Sequence, residues 1–211
     1  IIIVAVIYGP KAVRLYNLAN LYDEDSIASN FINIDKIFTV SEPIPAAERP
    51  YIFNKKAYEL PETYFFEGEE KNLQEALDHF KTDGLIVLHN GNMLYENYWN
   101  GNSVSSKHIA FSVSKSFLSA LIGIAVGDGL IDSIEDPVTK YIPDFNGTGY
   151  EGVRIKDILQ MSSGVKFNED YADPKSDINI FGRAVARGSS FRDFSKTLER
   201  EKTPGTYHHY V

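Results

Sequence analysis

The sequence predicts an α/β (α+β) protein in which an antiparallel hairpin leads into a run of helices. Three observations carry this. Leu85 to His89 is an apolar run, Asn90-Gly91 follows, and Met93 to Trp99 alternates with aromatic residues. Asn-Gly suits the left-handed type I′ turn that joins two antiparallel strands. Ser112 to about Val126 is apolar around most of its helical circumference, the pattern of a buried helix. Beyond it, shorter apolar-periodic stretches alternate with Pro, Gly and Ser breakers as far as Leu198.

Taken in order, Ile1 to Ile7 reads IIIVAVI and ends at Tyr8-Gly9-Pro10. β-branched residues suit a buried strand. An abrupt start at a non-Met residue suits the exit end of a signal sequence or membrane anchor, and this is the reading adopted for residues 1–10. It implies membrane anchoring through the N-terminus and a place in the cell envelope. Residues 11–70 hold Pro43, Pro45, Pro50 and Pro61 and read as an irregular lead-in, with one helix near 11–20. Asn72 is placed to cap a helix running to about Lys81, with Leu73, Ala76, Leu77 and Phe80 on one face. Gly84 ends it, and Asn100-Gly101 closes the second hairpin strand.

The helix from Ser112 carries one polar stripe: Ser112, Lys115, Ser116, Ser119 and Gly123. Gly127 and Gly129 stop it. Asp136-Pro137 starts a short helix ending near Tyr141-Ile142-Pro143. Val153 to Met161 reads as another, closed by Ser162-Ser163-Gly164. Asp173 to Gly188 is loop then helix, Phe191 to Leu198 is helical, and Pro204-Gly205-Thr206 turns the chain into its last stretch.

Composition narrows the function. Hydrophobic residues make up 43% of the 211-residue chain and aromatics 13%, enough for a packed core rather than disorder. A net charge of -8 argues against nucleic acid as a partner. The absence of Cys excludes disulfide scaffolds, thiolate metal sites and thiol nucleophiles, and leaves the compartment open. The five His residues (79, 89, 108, 208 and 209) show no metal-ligand spacing. In a strand, His208 and His209 would point to opposite faces. Asn146-Gly147-Thr148 matches a glycosylation sequon and reads as a turn.

The chain lacks Gly-x-Ser-x-Gly, His-Glu-x-x-His, P-loop and Gly-x-Gly-x-x-Gly patterns. It does contain Ser-x-x-Lys, twice. In Ser163-Gly164-Val165-Lys166 the partners straddle a glycine after a helix end. In Ser112-Val113-Ser114-Lys115 they share one helical face. A serine hydroxyl needs a base to become a nucleophile. A lysine serves if burial lowers its pKa, and an apolar helix would desolvate Lys115. Exposed N–H groups at the helix start favour negative charge beside Ser112. The competing reading is a capping serine with a lysine that snorkels outward.

Residues 108–143, from His-Ile-Ala-Phe-Ser-Val-Ser-Lys-Ser-Phe to Asp-Pro-Val-Thr-Lys-Tyr-Ile-Pro, resemble the serine β-lactamase and penicillin-binding-protein-like hydrolases. The class C branch, with its esterases, D-aminopeptidases and 6-aminohexanoate-dimer hydrolases, is the most similar. Ile155 to Gly164, the Asn90-Gly91 hairpin and Pro204-Gly205-Thr206 leading to Tyr210 match the same pattern in the same order. The resemblance spans about residues 80–211. It implies a β-lactamase/transpeptidase-like fold, an antiparallel sheet flanked by helices plus a mostly helical subdomain, with residues 71–211 as the front part of that domain.

The resemblance also implies roles. Ser112 aligns with the acylated nucleophile, Lys115 with its basic partner, and Tyr210 with the first residue of a Tyr-x-Asn motif whose Asn would stand at position 212. Asn168 to Tyr171 followed by Asp173-Pro174 is similar to the 6-aminohexanoate hydrolase subgroup, in which a tyrosine on this loop contacts an amide substrate; here that is Tyr171. The implied reaction is hydrolysis of a small-molecule ester or amide through an acyl-enzyme on Ser112, with Lys115 as base, Tyr210 as proton shuttle and no metal or cofactor. A D,D-carboxypeptidase and a non-catalytic envelope sensor on the same fold are the alternatives. The family's Lys-Thr-Gly-like or His-x-Gly-like strand, which supplies half of the oxyanion hole, is absent. The chain is therefore expected to be a piece of a longer protein and not competent alone.

Overall fold

A computed structural model describes residues 9, 12–13, 16–17, 19–37 and 45–211. The apolar start at 1–7 lies outside the described residues, as does part of the helix expected near 11–20. Among the described residues, no helix is long and apolar enough to cross a membrane. The chain divides into two compact units, Ile1–Ile109 and Ala110–Val211.

In the first unit, helices α1 (Ile27–Ile32) and α2 (Ile34–Ile37) occupy part of the segment expected to be irregular. Strand β1 (Asn54–Lys55) follows, then β2 (Thr63–Phe66) and β3 (Glu69–Asn72). β2 and β3 pair antiparallel, Thr63 opposite Asn72 and Phe66 opposite Glu69. Glu67 and Gly68 make their turn with φ of 52° and 81°, a left-handed pair that only Gly adopts without cost. Asn72 caps α3 (Leu73–His79) as its sequence position predicts, its Oδ1 accepting from the Glu75 N–H at 2.9 Å. Phe80 lies past the helix end and is exposed.

The hairpin stands where the sequence puts it, as β4 (Gly84–His89) and β5 (Asn92–Tyr98). Asn90 and Gly91 have φ of 48° and 73°, the I′ signature. A bulge lies between Val87 and Leu88. β1 joins β5 in parallel, giving the strand order β1-β5-β4. The last residues of this unit are tied down twice. Ile109 N–H donates to the Phe31 carbonyl of α1 at 3.0 Å, and the His108 ring lies 3.0 Å from Asp83.

In the second unit, a 3₁₀ turn at Phe111–Val113 precedes the long helix α4 (Ser114–Gly127). The sequence predicts that α4 is buried, and here it is corrected. The helix has no buried residue, and Phe117, Leu118, Leu121 and Ile124 are more than half exposed. An all-round apolar pattern states what a helix can bury, not which of its faces is covered.

The core of this unit lies instead beyond α4. Val138, Phe145, Val153, Ile155, Val165 and Ala186 are buried there. Val138 N–H donates to the Val153 carbonyl at 2.8 Å, which fastens the 3₁₀ turns Val138–Lys140 and Pro143–Phe145 to α5 (Ile155–Leu159). Helices α6 (Asp177–Ala186) and α7 (Phe191–Ser195) complete the unit, capped by Ser176 and Ser190. Both end close to their expected positions.

Candidate active site

The site is built by two segments of the second unit. The first is the turn before α4. Phe111 adopts a left-handed φ of 41°, costly for a side chain with a Cβ, and the chain then tightens into the 3₁₀ turn that carries Ser112. Ser112 therefore stands in the turn before the helix rather than in its first turn. Lys115, one residue into α4, reaches back three positions and places Nζ 3.1 Å from Ser112 Oγ.

The second segment brings Tyr210. Residues 161–167 and 199–209 run side by side. Lys166 N–H donates to the Glu199 carbonyl at 2.9 Å, Gly205 N–H to Ser162 at 2.8 Å, and His209 N–H to Met161 at 2.7 Å. The His209 ring nitrogen meets the Phe167 carbonyl at 2.7 Å, so this histidine helps hold the segment that delivers its neighbour. Two glycines permit the close approach. Gly164 has φ of 73°, and a Cβ there would overlap the Lys202 carbonyl; one on Gly205, at φ of 78°, would lie 3.0 Å from Arg154 and Asp157. Beneath Gly205, the buried Asp157 carboxylate is held by two Arg154 guanidinium bonds of 2.7 and 2.9 Å. Arg154 holds the Asp157 carboxyl below the usual carboxylate range.

Tyr210 OH donates to Ser112 Oγ at 2.6 Å. The Lys115 ammonium lies 4.9 Å from the centre of the same ring. Hydrogen bonding to Lys115, and next to Ser112, holds the Tyr210 phenol below its ordinary value of 10.0, while Glu169 opposes the shift. The structure thus brings Ser112, Lys115 and Tyr210 together. The expectation of a desolvated Lys115 is corrected, because its side chain is exposed. Burial of the lysine is not what tunes this site. The lysine's charge acts on the tyrosine instead.

Tyr171 joins the site at one remove. The residue is 66% exposed, and its hydroxyl donates to Glu169 Oε1 at 2.8 Å. Glu169, which sequence reasoning missed, lines a cleft of about 300 Å³ together with Lys115 and Tyr210. The rest of that lining is mostly aromatic, from Tyr150, Phe167, Phe181, Phe191 and Phe194. Phe181 packs at 5.0 Å against both Phe191 and Phe194. A signal for it existed, three Phe residues at one face of two adjacent helices, but only the fold turns that face toward Ser112's partners. The second Ser-x-x-Lys has a structural part: the Ser163 hydroxyl is buried and accepts from Val165 N–H at 3.2 Å. Among the described residues, no three His, Asp or Glu side chains gather as metal ligands.

The architecture is that of the β-lactamase/transpeptidase-like fold. A solved structure from Bacillus anthracis, "Putative 6-aminohexanoate-dimer hydrolase", superposes with a TM-score of 0.77 over 90% of this chain and 53% of its own, at 21% identity. The beta-lactamase family matches residues 70–211, and the chain belongs to that family. A 6-aminohexanoate-dimer hydrolase from Paenarthrobacter ureafaciens is 34% identical over 114 residues, 54% of this chain and 29% of that protein. An uncharacterized protein of Alkalihalophilus pseudofirmus is 32% identical over 92 residues, 39% of this chain and 26% of its own. The chain spans less than a third of the length of these curated relatives and about half of the solved structure.

Proposed function

We propose that the protein is a serine hydrolase that cleaves a small-molecule ester or amide through an acyl-enzyme on Ser112. The observation that carries this reading is the convergence of Lys115 Nζ at 3.1 Å and Tyr210 OH at 2.6 Å on the Ser112 hydroxyl oxygen. A nucleophile and its base must lie within hydrogen-bond reach, and these do. Membership of the beta-lactamase family supports the same chemistry.

In this reading Tyr210, as phenolate, takes the Ser112 proton while Oγ attacks the substrate carbonyl. Lys115 stabilises that phenolate and keeps its proton affinity low. The backbone N–H of Ser112 donates to the developing oxyanion. Tyr210 then returns the proton to the leaving oxygen or nitrogen. A water, losing its proton to Tyr210, attacks the ester carbonyl, and Ser112 recovers its proton as the acid departs.

The test is labelling of the full-length protein with a fluorophosphonate. Labelling of wild type that disappears in Ser112→Ala supports the assignment, and undiminished labelling of Ser112→Ala overturns it.

A further inference from the structure

We propose that the aromatic cleft beside Lys115 and Tyr210 is a substrate subsite for an apolar, non-anionic group attached to the scissile ester or amide. This deepens the hydrolase reading of the same site and rests on it. Lys115 and Tyr210, the two side chains that converge on Ser112, also line the cleft, so a substrate with its carbonyl at Oγ has the cleft within reach of its adjoining group. Its walls are Phe167, Ile178, Phe181, Phe194 and Leu198, all half-buried, with Phe191 as an exposed flank. Rings at 5.0 Å from each other already fix that wall without a ligand. Such a surface contributes by removing apolar area from water, and it is directionless apart from shape.

Capacity and charge define the group further. The volume of about 300 Å³ accommodates a substituent of roughly ten non-hydrogen atoms, taking the ~30 Å³ that a water occupies in the liquid as a yardstick. Linear alkyl chains of six to eight carbons and phenylalkyl groups are of this order. Among the described residues of the lining, Glu169 is the one with a side-chain carboxylate, and Tyr171 OH donates to its Oε1. It repels a chain that ends in a carboxylate and leaves a neutral chain unaffected. Lys115, the other charged residue of the lining, holds its ammonium at the reacting end, 3.1 Å from Ser112 Oγ and 4.9 Å from the centre of the Tyr210 ring.

The experiment measures kcat/KM of the full-length protein for p-nitrophenyl esters from acetate to octanoate and for acetate esters of ethanol to octanol. A rise of about two- to fourfold per methylene in either series, the value for withdrawing a CH₂ from water, supports the subsite. A flat profile in both overturns it. A chain of equal length ending in a carboxylate is expected to react at least tenfold more slowly. Phe191→Ala, at a position 67% exposed where folding is not at stake, is expected to reduce the chain-length slope by half or more. An unchanged slope in Phe191→Ala together with an unchanged slope in Phe181→Leu also overturns it. Calorimetric titration of Ser112→Ala with acetamide, hexanamide and octanamide separates the two claims. If wild type neither labels nor turns over, the hydrolase reading fails and the titration alone decides the subsite: affinity that grows with chain length supports it, and equal or undetectable binding overturns it.

Discussion

Tyr210 donates a 2.6 Å hydrogen bond to the hydroxyl of Ser112, a residue 98 positions earlier in the chain. That pair closes a triangle with Lys115, which reaches Ser112 at 3.1 Å and faces the tyrosine ring at 4.9 Å.

Tyr210→Phe removes the phenolic oxygen and little else, because the side chain is already 37% exposed. Loss of a positioned acid–base group costs about 10² to 10⁴ in rate. Steady-state kcat/KM should fall by that factor, with the thermal melting point unchanged. A fall of less than tenfold would show that the proton takes another route.

Lys115→Met isolates the electrostatic part. Lys115 is the largest cause of the lowered Tyr210 pKa, so removing it moves that pKa up, toward 10.0. The phenolate is the reactive form, so activity rises with pH through the Tyr210 pKa. The wild-type limb should lie below the ordinary tyrosine range. In Lys115→Met it should move to higher pH as the rate falls. A pH profile of kcat/KM reads both, and a limb at the same pH in both proteins would remove Lys115 from this role.

Gly164→Ala tests how Tyr210 is held. The new Cβ meets both a left-handed φ of 73° and the Lys202 carbonyl. The backbone strain alone is about 1–2 kcal/mol. Denaturant unfolding should show at least that loss, and activity should drop as the 199–209 segment moves away from residues 161–167. Gly152, also at positive φ but with open space around it, should lose stability while keeping its activity on replacement by Ala.

Asp157→Asn weakens the base of the Pro204-Gly205 turn. Replacing a buried acceptor of charged hydrogen bonds costs about 1–3 kcal/mol. The lower half of that range is expected, because the Arg154 side chain is 41% exposed and solvent screens it. The sign with pH follows from the depressed native pKa. The contribution is complete above the unfolded carboxylate value of about 3.9 and is lost as pH falls through the lower native value. Urea midpoints from pH 6 to pH 2 should therefore converge for wild type and Asp157→Asn at the acid end.

Local features were legible in the sequence. Asn90-Gly91 announced its hairpin because the left-handed turn needs those residues, and Asn72 announced α3 because its side chain replaces a missing backbone partner. Ser112 and Lys115 stand three positions apart on a helical stretch, but a capping serine with an outward lysine fits that spacing as well, and the resemblance chose between the two. The Glu67-Gly68 hairpin was not, because Glu carries no turn signal and charged residues fill β3. The parallel pairing of β1 with β5 rests on two residues and a distant partner. Burial of α4 failed as an inference because a helix records its own pattern and not its neighbours. Tyr210 came from resemblance, and its path to Ser112 is set by bonds to residues 161–167 that no periodicity encodes. Glu169 and the Phe181–Phe191–Phe194 wall were missed because they become a site only after α6 and α7 fold together.

The central claim is that Ser112 becomes covalently acylated. The most direct measurement is peptide mass mapping of the full-length protein, acid-quenched during turnover of a p-nitrophenyl ester. The account predicts the acyl mass on the peptide that contains Ser112, and its disappearance in Ser112→Ala along with turnover. An adduct on a different residue, or full turnover by Ser112→Ala, would contradict it.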